Sequence, residues 1–390
     1  MPVANIAISG LGLISACGKN IAETLCAFTD EKRNAGKVSL FKTELDYPVF
    51  EVKDFSSLSC GLMRTLGLTF YAVRAAIKDA DLENDLNDFR IGVCLGTTVS
   101  SQLNDTDFYS EYRRKGSASM NSVDRFLKSN LAQAVAEEFK VRTNFCTTIV
   151  NACSSGTDAI GVGLSWLRNG YCDIVIAGGG DELNRVPFDG FGSLGVVSKS
   201  VCAPFDRNRS GLNLGEGAGI IILEKEEISR KRNKKPDLFL NGYGLASDAY
   251  HLTAPRPDGS GLEKALFFAL GEAGLSPKDI AFVNAHGTAT HDNDLVEGKV
   301  LSRVFGKEIK FLSTKGFTGH TLGAAGGLEA VFTALNLRQG WIPKSSGFLS
   351  LDEDIGIAPV AEKTLIKGKF AVSTSLAFGG NNSALVISRN

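Results

Sequence analysis

The chain has 390 residues, 43% of them hydrophobic and 22% charged, which is the composition of a globular protein with room for two fused domains. Lys plus Arg (42) nearly balance Asp plus Glu (43), so the net charge gives no reason to expect nucleic acid or a membrane surface as a partner. No run of residues reaches the roughly 18 to 20 apolar positions that a membrane span needs.

Predicted strands and helices alternate along the chain, which indicates α/β units with largely parallel sheets. In the first half we expect helices at 69–80 and 155–168 and strands at 3–9, 91–95, 146–151, 174–178 and 218–224. A charged run before Pro236 marks a solvated joint, so the expected domains are 1–232 and 233–390. In the second half we expect helices at 262–273, 295–305 and 323–338 and strands at 239–243, 281–285, 311–314, 371–375 and 383–388.

The two halves share an internal echo. The run ISGLGLIS at 8–15 reappears as LNGYGLAS at 240–247, and two further pairs of short motifs follow in the same order. Three echoes in register predict a duplicated unit. The spacing between echoes is longer in the first half, so that half carries insertions around residues 17–65 and 98–145, which we expect to form loops or short helices.

A reactive cysteine is predicted in the run NACSSG at 151–156, where a β-rich segment meets an amphipathic helix. A thiol at a helix N-terminus faces free N–H groups and the positive end of the dipole, which favours the thiolate of Cys153. A buried structural cysteine is the alternative, and it suits the other seven cysteines. These lack C-x-x-C spacing, so we expect no metal site or disulfide framework and a reducing, cytoplasmic compartment.

Three other glycine-rich segments carry candidate chemistry. His286 ends a predicted strand in NAHGTAT, where open α/β folds place active sites. Lys315 and His320 lie in STKGFTGH, and Phe378 lies in the turn LAFGGNN. Each residue taken alone fits an ordinary structural role. A thiol with two strand-end histidines and a lysine together predict acyl transfer through a thioester.

These segments together resemble the signature of β-ketoacyl-[acyl-carrier-protein] synthases, and the elongating, type II branch is the most similar. The likeness extends over essentially the whole chain and includes PFD at 204–206 and LGEGAG at 214–219. It implies a thiolase-like duplicated five-layer α/β/α/β/α sandwich. It also implies a dimer that works with acyl- and malonyl-loaded acyl carrier protein. Neither metal nor redox cofactor is required.

The resemblance also implies roles for the catalytic residues. Cys153 takes the acyl chain, and malonyl carrier protein then loses CO2 to give a carbanion or enolate that attacks the thioester. His286 and His320 bind the malonyl thioester carbonyl and stabilise the enolate. Lys315 positions this network, with Glu329 as its acidic partner.

Substrate contacts follow in the same way. The N–H groups of Cys153 and Phe378 form the oxyanion hole, because the reaction needs donors where negative charge develops. Phe378 gates the acyl pocket, with Gly379 and Gly380 in its loop. The hydroxyl groups of Thr288 and Thr290 contact the phosphopantetheine arm.

The chain departs from the family pattern at several positions. Ala377 stands where glycine is usual, His291 where proline is usual and Asn293 where glycine is common. The basic cluster of residues 60–65 is reduced chiefly to Arg64, and the segment 123–138 lacks its familiar proline-rich start. These changes make a specialised pathway, such as a polyene product, as plausible as housekeeping lipid synthesis.

Other readings are weaker. A thiolase needs a second catalytic cysteine near the C-terminus, and none follows Cys202; initiating and plant-type synthases use Cys-His-Asn, whereas His320 is present here. A non-catalytic chain-length factor usually lacks the nucleophile. A homodimer, or a heterodimer with a related ketosynthase-like subunit in which this chain is the active member, fits the sequence. A purely structural protein needs no such polar strand ends.

Overall fold

The computed structural model describes residues 5–55, 63–86, 88–99, 106–120 and 130–390. Within these ranges the strands are β1 (Ile6–Ser15), β2 (Ile91–Gly96), β3 (Cys146–Ile149), β4 (Ile174–Asp181), β5 (Gly217–Lys225), β6 (Leu238–Ser247), β7 (Ile280–Asn284), β8 (Phe311–Leu312), β9 (Trp341–Ile342), β10 (Thr364–Leu365), β11 (Phe370–Ala377) and β12 (Asn381–Arg389). The helices are α1 (Ile21–Thr29), α2 (Arg64–Asp79), α3 (Thr106–Lys115), α4 (Leu131–Glu138), α5 (Ser155–Arg168), α6 (Arg185–Ser193), α7 (Glu226–Lys231), α8 (Ser260–Ala273), α9 (His291–Phe305), α10 (Lys315–Thr318) and α11 (Ala325–Gln339).

Ten strands form one sheet in the order β3-β2-β4-β5-β1-β6-β12-β11-β7-β8. The expectation of a largely parallel sheet is wrong. Only β2 with β3 and β4, and β7 with β8 and β11, pair in parallel, whereas the five central pairs are antiparallel. For the pair β11 and β12 the reason is visible, because their connection of residues 378–380 is too short for a parallel crossover.

The layers confirm the expected fold class. Helices α5 and α11 pack against each other and against strands of both halves, so they form a central layer. On the outside, α2 covers β1 and β5, and α8 covers β6 and β12. Every residue from Ala325 to Leu337 is buried, because sheet strands lie on both sides of α11. The result is a thiolase-like α/β/α/β/α sandwich.

The internal echo has a packing reason. A Cβ atom at Gly12 of β1 would lie 2.0 Å from the carbonyl oxygen of Ala72 in α2. A Cβ at Gly244 of β6 would lie 2.0 Å from the carbonyl oxygen of Ala265 in α8. Glycine is therefore required at these two positions, where the outer helix backbone lies against the strand. The strand order is also the same in the two halves when it is read outward from β1 and from β6, which supports duplication. The domain bounds at 232 and 233 stay a prediction.

The strands and helices expected from the sequence are present, although residues 3 and 4 of the first strand lie outside the described residues. The described parts of the two insertions contain α1, and α3 with α4, as short helices. Periodicity did not reveal these helices because eight to ten residues give too few turns to show it. Among the described residues, none of the helices is both long and apolar enough to cross a membrane.

Gly156 lies where the two central helices cross. A Cβ there would come within 2.7 Å of the Gly327 nitrogen and 2.8 Å of the Gly323 oxygen, both of them backbone atoms. Gly156→Ala is therefore expected to lower the free energy of unfolding by about 1–3 kcal/mol, through overpacking, in urea denaturation. Gly271→Ala is the control, since nothing lies within 4 Å of its added methyl, and it should gain about 0.5–1 kcal/mol. Equal effects at both sites would contradict the close crossing.

Candidate active site

The candidate nucleophile, Cys153, lies in a tight turn between β3 and α5 and is 5% exposed. The preceding residue, Ala152, has a φ of 47°, in the left-handed region that costs a non-glycine residue on the order of 1–3 kcal/mol. Ser155 holds this turn, because its hydroxyl donates to the Ala152 carbonyl at 2.6 Å and accepts from the Asn151 N–H at 2.8 Å. The thiol is thereby fixed at the start of the central helix.

Lys315, directly after β8 at the start of α10, lies behind His286. Its ammonium group donates to the His286 Nδ1 at 3.0 Å, to the His286 carbonyl at 2.6 Å and to Glu329 Oε1. An ammonium group has three N–H donors and no acceptor, so the Nδ1 of His286 must accept. We therefore assign the ring proton of His286 to Nε2, which leaves that N–H free for a substrate.

His320 completes the cluster. Its Nε2 lies 3.0 Å from the Cys153 Sγ, and its ring meets the His286 ring edge to face at 5.2 Å between centroids. The other ring nitrogen, Nδ1, has no hydrogen-bond partner among the described residues. The structure thus brings together the thiol, the two imidazoles and Lys315, which the sequence placed on four separate segments.

Burial dominates the electrostatics of the thiol. It raises the pKa of Cys153 to about 11, although the charge of Lys315 and a hydrogen bond from the Phe378 N–H lower it. This corrects the expectation of a favoured thiolate, because loss of solvation outweighs the helix N-terminus. At neutral pH the resting thiol is protonated, and His320 Nε2 is the acceptor within reach of its proton.

Both imidazoles are neutral. Burial first, and then the charge of Lys315, lower the pKa of His286 and of His320 well below 6.5. Burial also raises the pKa of Glu329 to about 7, against the pull of Lys315. The Nε2–H of neutral His286 can donate a hydrogen bond to a developing enolate, and neutral His320 keeps its Nε2 free to accept the thiol proton.

Phe378 occupies the turn between β11 and β12. Its backbone N–H faces the Cys153 sulfur closely enough to lower the pKa of the thiol, and its ring stacks on Phe191 at 5.4 Å between centroids. Gly379 and Gly380 have φ values of 88° and 81°, a conformation that glycine adopts without strain. The Gly379 N–H donates to the carbonyl of Leu252 at 2.7 Å. The turn therefore aims a backbone donor at the thiol.

One cavity of about 300 Å³ holds these groups, and Cys153, His286, His320 and Phe378 line it. Thr288 and Thr290 also line the cavity, with their hydroxyl oxygens 2.9 Å apart. Gly379 and Gly380 are not among the lining residues, so they shape the turn and not the wall. Apolar side chains of Phe191, Val196, Leu212 and Leu376 complete the enclosure.

Two buried carboxylates beside the site escaped sequence reasoning. Glu297 of α9 accepts the N–H groups of His286 and Gly287, each at 2.8 Å. Asp181, at the end of β4, accepts the N–H groups of Val99 at 3.0 Å and Gly323 at 2.7 Å. An acidic residue in a polar helix looks solvated in sequence, so Glu297 gave no signal. Asp181 did give a usable signal, because it is an acidic residue at the end of an apolar strand.

The departures from the family pattern lie around the mouth and the turn. Ala377 pairs with Asn381 as the last ladder position of β11. His291 starts α9, is exposed and lines the cavity beside Asn293. Arg64 donates to the buried Glu216 at 2.6 Å, so it is engaged within the fold.

Two segments named from the sequence fall only partly within the structure. Residues 60–62 of the basic cluster and 123–129 of the pocket segment lie outside the described residues. Residues 131–138 of that second segment form α4, which packs against α2, β2 and β3.

The sandwich fold, with a cavity in which a thiol meets two neutral imidazoles, defines a thioester-dependent condensing enzyme. The N-terminal domain family of β-ketoacyl synthases matches residues 27–228, and the C-terminal domain family matches residues 239–349. The chain therefore belongs to the β-ketoacyl synthase family. It is an acyltransferase that carries out the condensation step of fatty acid or polyketide synthesis.

Individual relatives support the family assignment. The chain is 31% identical to 3-oxoacyl-[acyl-carrier-protein] synthase 2 of Staphylococcus aureus, with 98% of each chain covered. It superimposes on the ishigamide ketosynthase/chain length factor with a TM-score of 0.94, at 29% identity over 99% of each chain. A ketosynthase, ApeO, in complex with its chain length factor ApeC from Xenorhabdus doucetiae gives a TM-score of 0.83 at 28% identity, covering 99% of this chain and 98% of that one.

Proposed function

We propose that Cys153 is the acyl acceptor of this β-ketoacyl synthase. The observation that carries the proposal is the convergence of Cys153, His286 and His320 on one buried cavity, with Lys315 behind them. In the first half-reaction the sulfur attacks the acyl thioester carbonyl while its proton moves to His320 Nε2. The N–H groups of Cys153 and Phe378 stabilise the oxyanion. The carrier thiolate leaves and takes up the proton.

The second half-reaction uses the imidazoles. Malonyl thioester binds with its carbonyl oxygen against the Nε2–H of His286 and the ring of His320, and the carboxylate leaves as CO2. The electron pair of the broken C–C bond forms an enolate, which the Nε2–H of His286 stabilises by a hydrogen bond. Its carbon attacks the Cys153 thioester, the C–S bond breaks, and the β-ketoacyl product forms on the carrier. The Cys153 thiolate that leaves takes up a proton from solvent and returns to the resting thiol. Lys315 and Glu329 hold His286 in its tautomer, and no cofactor takes part in these steps.

The substrates in this proposal are acyl and malonyl groups on acyl carrier protein. Thr288 and Thr290 line the cavity, and their hydroxyl groups suit the amides of a phosphopantetheine arm. The ring of Phe378, beside the Gly379–Gly380 turn, would have to leave Phe191 to admit the acyl chain. It therefore acts as the gate of the acyl pocket.

We also propose that the protein works as a dimer in the cytoplasm. Strand β3 is an edge of the sheet, its side chains are half-buried, and the adjoining Val150 is 68% exposed, as an interface strand requires. In a homodimer, the second copy of the chain would cover this edge strand. A heterodimer with a ketosynthase-like subunit would do the same, and the ApeO–ApeC complex supports it, with this chain as the catalytic member. The seven described cysteines are free thiols, which suits a reducing compartment.

The test is acylation of the purified protein by carrier proteins that bear chains of different length and saturation, followed by intact mass spectrometry. We expect one acyl adduct, located on Cys153 by peptide mapping, and its release as β-ketoacyl product when malonyl carrier protein is added. Size-exclusion chromatography with light scattering reports the oligomer. Absence of an adduct from every donor, in the protein alone and with a chain-length-factor partner, would overturn the proposal.

A further inference from the structure

Asp158 is a buried carboxylate beneath the nucleophile to which the mechanism above gives no task. It lies on α5, is 4% exposed and takes part in no ion pair with the described residues. Its Oδ2 accepts from the Asn151 amide at 2.5 Å and from the Ser154 hydroxyl at 2.7 Å. Its Oδ1 accepts from the Tyr243 hydroxyl at 2.9 Å and from the Ser383 hydroxyl. Four neutral donors thus satisfy one buried charge.

These donors come from both halves of the fold. Asn151 and Ser154 flank Cys153 in its turn, whereas Tyr243 and Ser383 belong to β6 and β12. The carboxylate therefore joins the nucleophile turn to β12, the strand that follows the Phe378 turn, and to its neighbour β6. A buried charge without hydrogen-bond donors is costly, so the fold must keep all four donors in contact with the carboxylate.

The hydrogen bond from Asn151 to Asp158 also orients the Asn151 amide toward Asn381. The Asn151 Nδ2 is occupied by Asp158, so its Oδ1 faces outward and accepts from the Asn381 Nδ2 at 2.5 Å. Asn381 is the first residue of β12, directly after the turn that presents the Phe378 N–H. A single amide pair thus connects the two segments whose backbone N–H groups face the reacting carbonyl.

We propose that Asp158, Asn151 and Asn381 form a positioning chain that sets the separation of the two oxyanion donors. Asp158 orients the Asn151 amide, and Asn151 anchors Asn381, which keeps the Phe378 N–H at the distance from Cys153 that the tetrahedral intermediate needs. Oxyanion stabilisation depends on donor placement to a few tenths of an ångström, so a small shift of the turn weakens it. The inference rests on the proposed acyl transfer to Cys153.

Two reactions of the same thiol separate this role from a structural one. Acylation passes through an oxyanion, whereas alkylation by iodoacetamide displaces iodide at a saturated carbon and forms none. In Asn381→Ala the link is cut, so we expect acylation from the best donor of the carrier panel to slow about 10- to 100-fold, part of the loss that follows removal of a whole donor. The rate of Cys153 alkylation by iodoacetamide should fall by no more than about threefold, since the thiol does not move and loses only the small effect of the Phe378 N–H on its pKa.

A second variant and a matched control complete the test. Asp158→Asn should show the same selective loss, and the double variant should be no slower than the slower single one, because both act through one chain. Ser375→Ala removes another hydrogen bond between the halves, the 2.7 Å contact of the Thr157 and Ser375 hydroxyls, and should leave acylation within about threefold.

The outcomes are distinguishable. Wild-type-like acylation in Asn381→Ala, or a parallel fall of acylation and alkylation, would overturn the positioning chain and leave acyl transfer standing. If the wild-type protein is not acylated by any donor, the proposed function itself fails. A melting temperature equal to that of Ser375→Ala excludes partial unfolding as the cause of a slower reaction.

Discussion

Cys153→Ala is expected to abolish acyl transfer while malonyl decarboxylation continues, and His286→Ala is expected to do the reverse. The thiol lies on one side of the cavity with the Phe378 N–H, whereas the Nε2–H of His286 is set by Lys315 on the other. Removing the sulfur should lower the acylation rate at least about 1000-fold, because no other cysteine among the described residues lines the cavity. Removing the imidazole should lower decarboxylation about 100- to 1000-fold, the effect of deleting one preorganised donor.

Two assays measure the halves separately. Intact mass spectrometry follows the acyl adduct, and release of CO2 from malonyl carrier protein follows decarboxylation. A Cys153→Ala protein that loses both activities, with an unchanged melting temperature, would show that the sulfur takes part in the malonyl half as well. If His286→Ala retains decarboxylation, then His320 and not His286 is the residue that this half-reaction depends on.

The sequence predicted the residues of the site better than their electrostatic state. Cys153, His286 and Lys315 come shortly after strands, whose ends are recognisable from apolar runs and glycines, and His320 follows the short helix α10 in the same glycine-rich segment as Lys315. The thiolate expected from the helix N-terminus was wrong because desolvation depends on how much protein covers the sulfur, and no local pattern reports that. The arrangement of the sheet also escaped, since pairing direction is decided by connections across the whole fold.

The supporting carboxylates show the same limit. Glu297 and Asp158 both lie in helices whose sequence gives no reason to expect a buried charge. Their positions are explained only by donors that arrive from elsewhere, such as the Gly287 N–H and the Tyr243 hydroxyl. The duplication, by contrast, was readable, because glycines at helix contacts leave a mark in the sequence itself.

Replacing Lys315 by Met should change the pH dependence of decarboxylation as well as its rate. Burial first, and then Lys315, lower the pKa of His286 and of His320, so both rings should stay neutral from pH 6 to 8. Any change in the wild-type rate over that range should follow Glu329, whose pKa is about 7. Without the ammonium group, the lowering of the pKa by its charge is lost. The pKa values of both imidazoles then rise, and the rings begin to protonate at higher pH. The acid limb of the profile should therefore move upward, with a rate about 100-fold lower at pH 7 because the His286 tautomer is no longer fixed.

The variant should still fold, and this makes the kinetic result interpretable. Lys315 lowers the pKa of Glu329, which is about 7 in the wild type, so without Lys315 this carboxyl takes up a proton and leaves no uncompensated charge in the core. Lys344→Met is the matched control, since Lys344 pairs with Glu31 near the surface, where ion pairs contribute little. Profiles that superimpose after scaling would show that Lys315 acts only through the hydrogen bond to Nδ1. A shifted acid limb would show that its charge also keeps the two imidazoles neutral, which is the state that the enolate requires.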